Sequence, residues 1–180
     1  MDEKNEINRI LKEAQAAYQR GEFLNAAQLF EAAESSCLAA DDRLAAAEMA
    51  NNASVAYLQA GDAQTAWDKA QGTDELFAQA GDKKRQAIAL GNQGAALEVL
   101  QKFDQSRDCY ERSADLLKDA HEPELRASVL KSLSALQLRR GSQLEALASM
   151  NAALANQKKL SFKEKMMKKL LQVPFKMLNR

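Results

Sequence analysis

At 180 residues, with 25 basic and 25 acidic side chains, the chain is formally neutral and long enough for one domain with a continuous core. Only 7 Gly and 2 Pro interrupt a sequence rich in Ala, Leu, Glu, Gln and Lys, which favours helix and argues against strands. No apolar run approaches the ~20 residues of a membrane span. The charged start MDEKNEINRI lacks the apolar stretch of a secretory signal, so a cytoplasmic protein is expected.

The elements follow in pairs. Helical spacing of apolar residues predicts a first helix from about Glu6 to Arg20 and a second from Phe23 to Ala40, with Gly21 between them. The next pair runs from Leu44 to Ala60 and Ala63 to Ala80 around Gly61-Asp62. Lys83 to Leu100 and Phe103 to Ala120 flank Gln101-Lys102, and Pro123 to Arg140 and Ser142 to Lys158 flank Gly141. Between pairs, Ala40-Asp41-Asp42, Ala80-Gly81-Asp82 and Ala120-His121-Glu122 share one phase. Gly81 suits the left-handed residue that ends a helix, and Asp tolerates that conformation. Asp42, Asp82 and Glu122 then set an acid at the next helix start, ahead of Pro123 at a first helical position.

These pairs repeat every 40 residues. Five positions after Gly21, Gly61, Gln101 and Gly141 come Ala26, Ala66, Ser106 and Ala146, and nine after come Phe30, Ala70, Tyr110 and Met150. Twelve after come Ala33, Thr73, Ser113 and Ala153. A long fixed period with small residues at set phases is the mark of a solenoid, in which each unit buries its face against its neighbours. The expected seam is therefore Ala26, Ala66, Ser106 and Ala146 packed close to the preceding helix, with Phe30, Tyr110 and Met150 in the next layer. Gly94 shares its phase with Ser54 and Ser134, where backbones approach closely. Unit two departs most, with Ala63 and Ala70 where units one and three carry aromatics and Trp67 available to fill the space.

The segments Asn52-Ala-Ser-Val-Ala-Tyr-Leu-Gln-Ala-Gly61 and Asn92-Gln-Gly-Ala-Ala-Leu-Glu-Val-Leu-Gln101, followed by Phe103 to Tyr110, resemble the tetratricopeptide repeat (TPR). The likeness is to its 40-residue form in Leu-Gly-Asn-type adaptors and kinesin light chains, and Phe23 to Phe30 match the second-helix pattern. The resemblance covers about residues 5 to 158 and implies an all-α, right-handed superhelical solenoid with first helices inside. It divides the chain into units at about 5–40, 41–80, 81–120 and 121–160, eight helices in all, with a basic capping helix and tail over 161–180 as a ninth.

The same resemblance implies protein binding. In members that hold extended peptides, asparagines at the phase of Asn52 and Asn92 face the concave groove and hydrogen-bond the peptide, a role suited to an amide with both donor and acceptor. The expected lining is Gln15, Gln19, Glu48, Asn52, Val55, Gln59, Ile88, Asn92, Val99, Lys131 and Arg139. Leu11, Gln15, Ile88 and Asn92 stand where chaperone-tail binders carry cations, so that subclass is not expected.

Other chemistry finds little support. One histidine, His121, falls at a turn phase, and with two separated cysteines it cannot assemble four zinc ligands. Cys37 shares its phase with Phe77 and Leu117 and is expected in the core; Cys109 shares its phase with Leu29, Lys69 and Ser149 and is expected partly exposed. Gly91-Asn-Gln-Gly94 lies inside a helix with no preceding strand, unlike a phosphate loop. No carboxylate pair sits in a cleft-like context, so no enzyme, metal or cofactor is expected.

The tail differs in charge. Residues 157–180 hold eight Lys and Arg against Glu164 alone, a net of +7, so the rest carries −7. Ser161 and Glu164 form a capping box that starts a helix, and Pro174 is expected to end or kink it. Phe162, Met166, Leu170 and Val173 form one stripe, and Leu160, Met167 and Leu171 a second. One stripe suffices to cap the fourth unit. With Phe175, Met177 and Leu178, the other leaves open a second copy, a partner protein or an anionic membrane surface, which is the alternative to groove binding. Nucleic acid is not an expected partner, because the acidic solenoid opposes phosphate and aromatics near the lysines are few.

Overall fold

A computed structural model describes residues 3–178, and side chains from 5 to 171. Its elements are all helices: α1 (Glu3–Gln19), α2 (Phe23–Ala39), α3 (Arg43–Gln59), α4 (Ala63–Ala70), α5 (Thr73–Gln79), α6 (Lys83–Val99), α7 (Phe103–Asp119), α8 (Pro123–Arg139), α9 (Gln143–Asn156) and α10 (Phe162–Leu178). Consecutive helices pack antiparallel in a helical repeat solenoid, each pair against the next.

One turn recurs at 20-residue intervals and sets the frame. Gly21, Asp41, Gly61, Gly81, Gln101, His121 and Gly141 all have positive φ, between 55° and 89°. At each, the amide of the following residue closes back on the carbonyl five positions earlier, as from Glu22 to Ala17 and from Ser142 to Gln137. This is the Schellman ending, which satisfies the last carbonyls and reverses the chain. His121 is thus a turn residue. The restart is capped by Asp42, Asp62 and Asp82, whose carboxylates accept from Ala45, Thr65 and Arg85 amides at 2.9–3.0 Å. Glu122 makes no such cap and instead reaches Lys84 at 2.6 Å.

The seam lies where the period puts it. Ala26, Ala66 and Ser106 are fully buried and Ala146 nearly so. The Ser106 hydroxyl donates to the Gly94 carbonyl at 2.8 Å, and Ser134 donates to Ala146 at 2.7 Å, so hydroxyls replace methyl contacts at two crossings. A Cβ on Gly94 would come within 2.9 Å of the Tyr110 ring and 3.3 Å of the Ser106 carbonyl. Phe30 and Tyr110 fill the next layer, but Met150 is only half-buried, because it lies in the last unit and has no following pair over it.

Ten helices form among the described residues, not nine, because the second helix of unit two is broken. Gln71 is extended and Gly72 is left-handed at φ 76°, at the phase where the intact helices carry Ala32, Arg112 and Ala152. The Ala70 carbonyl at the break is met both from α5 and from the neighbouring α6. Thr73 Oγ1 donates to Ala70 at 2.6 Å and Gln93 Nε2 donates to the same carbonyl at 3.0 Å. Gln93 also donates to Asp74 at 2.7 Å, and Asn51 Nδ2 donates to Thr73 Oγ1 at 2.8 Å. Asn51, Thr73, Asp74 and Gln93 are all buried, so each needs these partners. Trp67 joins the apolar clusters on both sides of the broken helix, beneath Lys102 at 6.0 Å from the ring.

At the end of the chain, Glu164 accepts from the Ser161 amide at 2.9 Å and Ser161 Oγ accepts from the Glu164 amide, completing the capping box. Pro174 does not end α10, which continues to Leu178. Val173, Phe175, Met177 and Leu178 have side chains outside the described residues.

Ala66 has no room beside it. Ala66→Phe is expected to cost roughly 1–3 kcal/mol by overpacking; a urea melt showing no loss would place the seam elsewhere.

Candidate functional site

Repeating the period along the first helices brings four residues of each to one solvent-facing stripe. On α3 these are Glu48, Asn52, Val55 and Gln59; every one is exposed or half-buried, and the first three have buried neighbours on both sides. The matching residues on α1 include Gln15 and Gln19, on α6 Ile88, Asn92 and Val99, and on α8 Arg139. Lys131 lies one position off this phase, level with buried Asn51.

The stripe is not uniform. Between α1 and α3 it sinks into a concavity of about 240 Å³ lined by Gln15, Tyr18, Gln19, Phe30, Asn52 and Val55. Phe30, 5 % exposed, makes an apolar floor that the second helix pushes up between two first helices. Tyr18 stacks edge-on against Phe23, with centroids 5.2 Å apart, which holds its ring at the wall. Four of the residues expected from the sequence therefore converge on one pocket. Tyr18 and Phe30 were missed there: Phe30 reads only as core by its phase, and Tyr18 shares its phase with Leu58, Glu98 and Leu138, which signal no common role.

Elsewhere the expected residues are engaged or flat. Glu48 meets Arg85 at 3.3 Å. Gln59 is exposed, and Ile88 and Val99 present isolated apolar side chains on α6. The two asparagines are not equivalent. Asn92 donates to Asn51 Oδ1 at 3.2 Å, which ties it to the broken-helix network, whereas Asn52 has no side-chain hydrogen bond among the described residues. Lys131 turns to Glu164 of α10 at 2.7 Å. Arg139 pairs with Glu98, which also accepts from the Tyr110 hydroxyl at 2.8 Å. Both of these fourth-unit cations are thus engaged in ion pairs within the chain.

Both thiols are buried, and burial pushes each above its ordinary pKa. For Cys109 this corrects the expectation of partial exposure: it is buried in one apolar cluster with Leu90 and Leu97 of α6, against which Trp67 and Leu116 pack. No group of three metal-ligating side chains occurs among the described residues.

Residues 85–159 match the tetratricopeptide repeat family model. The whole chain folds as an all-α helical repeat solenoid. The matched stretch spans the third and fourth helix pairs and excludes the second, whose outer helix is broken. Among solved structures, the crystal structure of BtubC (BKLC) from P. vanneervenii superposes with a TM-score of 0.63 at 18% identity, over 93% of this chain and 80% of that one. At that identity the likeness is one of fold. No curated protein sequence matches.

Two outcomes are expected. Asn92→Ala should cost about 1 kcal/mol in a urea melt, because it leaves the buried Asn51 oxygen without its donor, while Asn52→Ala should be near neutral. Burial raises the Tyr110 phenol from its ordinary 10.0 to about 12. A raised folded-state value means a contribution complete below pH 10.0 and lost as pH climbs through about 12, so urea midpoints should fall over that interval.

Proposed function

We propose that the chain is a protein-binding adaptor that holds a peptide or helix of another protein along its first-helix face. Residues 1–160 are the binding part in this reading, and 161–180 a separate cap. Tetratricopeptide repeats generally act as protein-interaction modules rather than as enzymes. The observation that carries the finer reading is the concavity between α1 and α3. Its Phe30 floor and Val55 wall take an apolar side chain, and the amides of Gln15, Gln19 and Asn52 around it offer both donors and acceptors to the peptide backbone beside that side chain. The anchor is therefore an apolar residue in a stretch of low charge, since none of the six lining residues is ionised at neutral pH.

Engagement at this site releases water from an apolar floor without breaking an existing hydrogen bond of Asn52. Further along, Ile88 and Val99 extend the apolar contact across α6. The neutral character separates this face from a cationic clamp for acidic tails.

The test is affinity capture from the native host with the wild type, Asn52→Ala/Val55→Glu and Asn92→Ala. The first variant should lose the specific partner while melting like the wild type. Asn92→Ala should melt lower yet keep the partner. A partner set untouched by Asn52→Ala/Val55→Glu would remove this face from consideration.

A further inference from the structure

The last helix carries two faces that look in opposite directions. Glu164, Lys168 and Leu171 lie on one side by the 3.6-residue turn. Glu164 is latched to Lys131 at 2.7 Å and Leu171 is 7% exposed, so this side is docked on the solenoid. Phe162, Met166 and Leu170 recur at every fourth position on the other side and are 77%, 52% and 66% exposed. A row of large apolar side chains this open is unusual for a helix that already has a packed face. Lys163 borders the row on one edge, and Lys165 and Lys169 on the other, all exposed.

The charge is sorted in the same sense. Glu164 is the only acid from 157 to 180, and it is turned to the docked side and neutralised by Lys131. The outward side of α10 is therefore apolar in the middle and cationic at both margins. The sequence carries the row on to Val173 and Met177 by register. None of the helices among the described residues is long and apolar enough to cross a membrane.

We propose that α10 lies in the plane of an anionic lipid surface, with Phe162, Met166 and Leu170 entering the boundary between headgroups and acyl chains. The lysines on both margins then reach the headgroups, with their aliphatic stems along the apolar layer. Charge complementarity selects this occupant. Pairing the same row with a second copy would set Lys163, Lys165 and Lys169 against their like, whereas anionic headgroups receive them all. The segregation also orients the molecule: residues 157–180 carry +7 against −7 for the rest of the chain, with Lys163, Lys165 and Lys169 on the lipid side and Glu164 held on the docked side. The first-helix pocket plays no part in this, so the two sites are independent.

The experiment is flotation of the full chain with phosphatidylcholine vesicles, alone and with phosphatidylglycerol as about a third of the lipid, at low and high salt. Binding should appear only with the anionic vesicles and fall as salt rises. Phe162→Ser/Met166→Ser/Leu170→Ser should bind about tenfold more weakly or less, with unchanged circular dichroism, because the three side chains are exposed. Lys165→Gln/Lys169→Gln should weaken anionic binding and flatten its salt dependence while leaving the melt unaltered. Absence of flotation overturns the proposal, as does binding that survives loss of the row. A wild-type dimer that the serine variant converts to a monomer, without flotation of either, assigns the row to a second copy and overturns it too.

Discussion

The left-handed turn that ends every unbroken helix from α1 to α8, and α5, is the constraint on which the rest depends. Seven such turns stand 20 residues apart, each closing an amide onto a carbonyl five positions back. Because the intervals are equal, the helices between them start and stop at the same phase, and α1, α2, α3, α6, α7 and α8 are each 17 residues long. Equal length at 1.5 Å per residue makes every one about 25 Å long. A small residue at one phase then always meets the same crossing, which is why Ala26, Ala66, Ser106 and Ala146 form a continuous seam. Asp41, Gln101 and His121 adopt the turn despite a Cβ, a conformation that costs roughly 1–2 kcal/mol. Glycine stands at the other four, so the frame itself does not require glycine everywhere.

The broken helix shows how much departure this frame accepts. Gly72 interrupts the outer helix of unit two without adding a residue, so Gly81 still falls in register. Gln93 meets the Ala70 carbonyl at the break from α6, and Asn51 of α3 donates to the Thr73 hydroxyl that meets the same carbonyl. At those phases the other units carry Leu11, Gly91 and Lys131, and Glu13, Ala53 and Leu133, so the buried amides of Asn51 and Gln93 are particular to this junction. That choice reaches the candidate binding face, because Asn92 bonds to Asn51. A groove-phase asparagine is thereby drawn into support of the fold, whereas Asn52 makes no side-chain hydrogen bond among the described residues.

Charge is also divided by position. Lys131, Arg139 and Arg140 of unit four bond to Glu164, Glu98 and Asp104 respectively. These pairs are at least partly solvated and contribute modestly to stability, but they take cations off the first-helix face. What remains around the pocket is neutral, with Tyr18, Phe30 and Val55 at one end and Ile88 and Val99 further along, while Lys12 stays exposed on α1 at the Asn52 phase. The unpaired positive charge is concentrated instead on the outer side of α10.

By itself the sequence determined the period, the positions of the turns, the helix pairs and the seam, because these depend on local spacing that a 40-residue repeat displays four times over. It also marked Gln15, Gln19, Asn52 and Val55 as one face, and Ser161 with Glu164 as a cap. The break at Gln71-Gly72, the burial of Cys109, the continuation of α10 through Pro174 and the unequal roles of Asn52 and Asn92 were decided only in the tertiary structure. Two of these turn on what a residue meets across helices, as Cys109 packs with Leu90 and Leu97 of α6 and Asn92 bonds to Asn51 of α3. Phase tells which way a side chain points along its own helix. It does not tell which side chain the next unit brings to meet it.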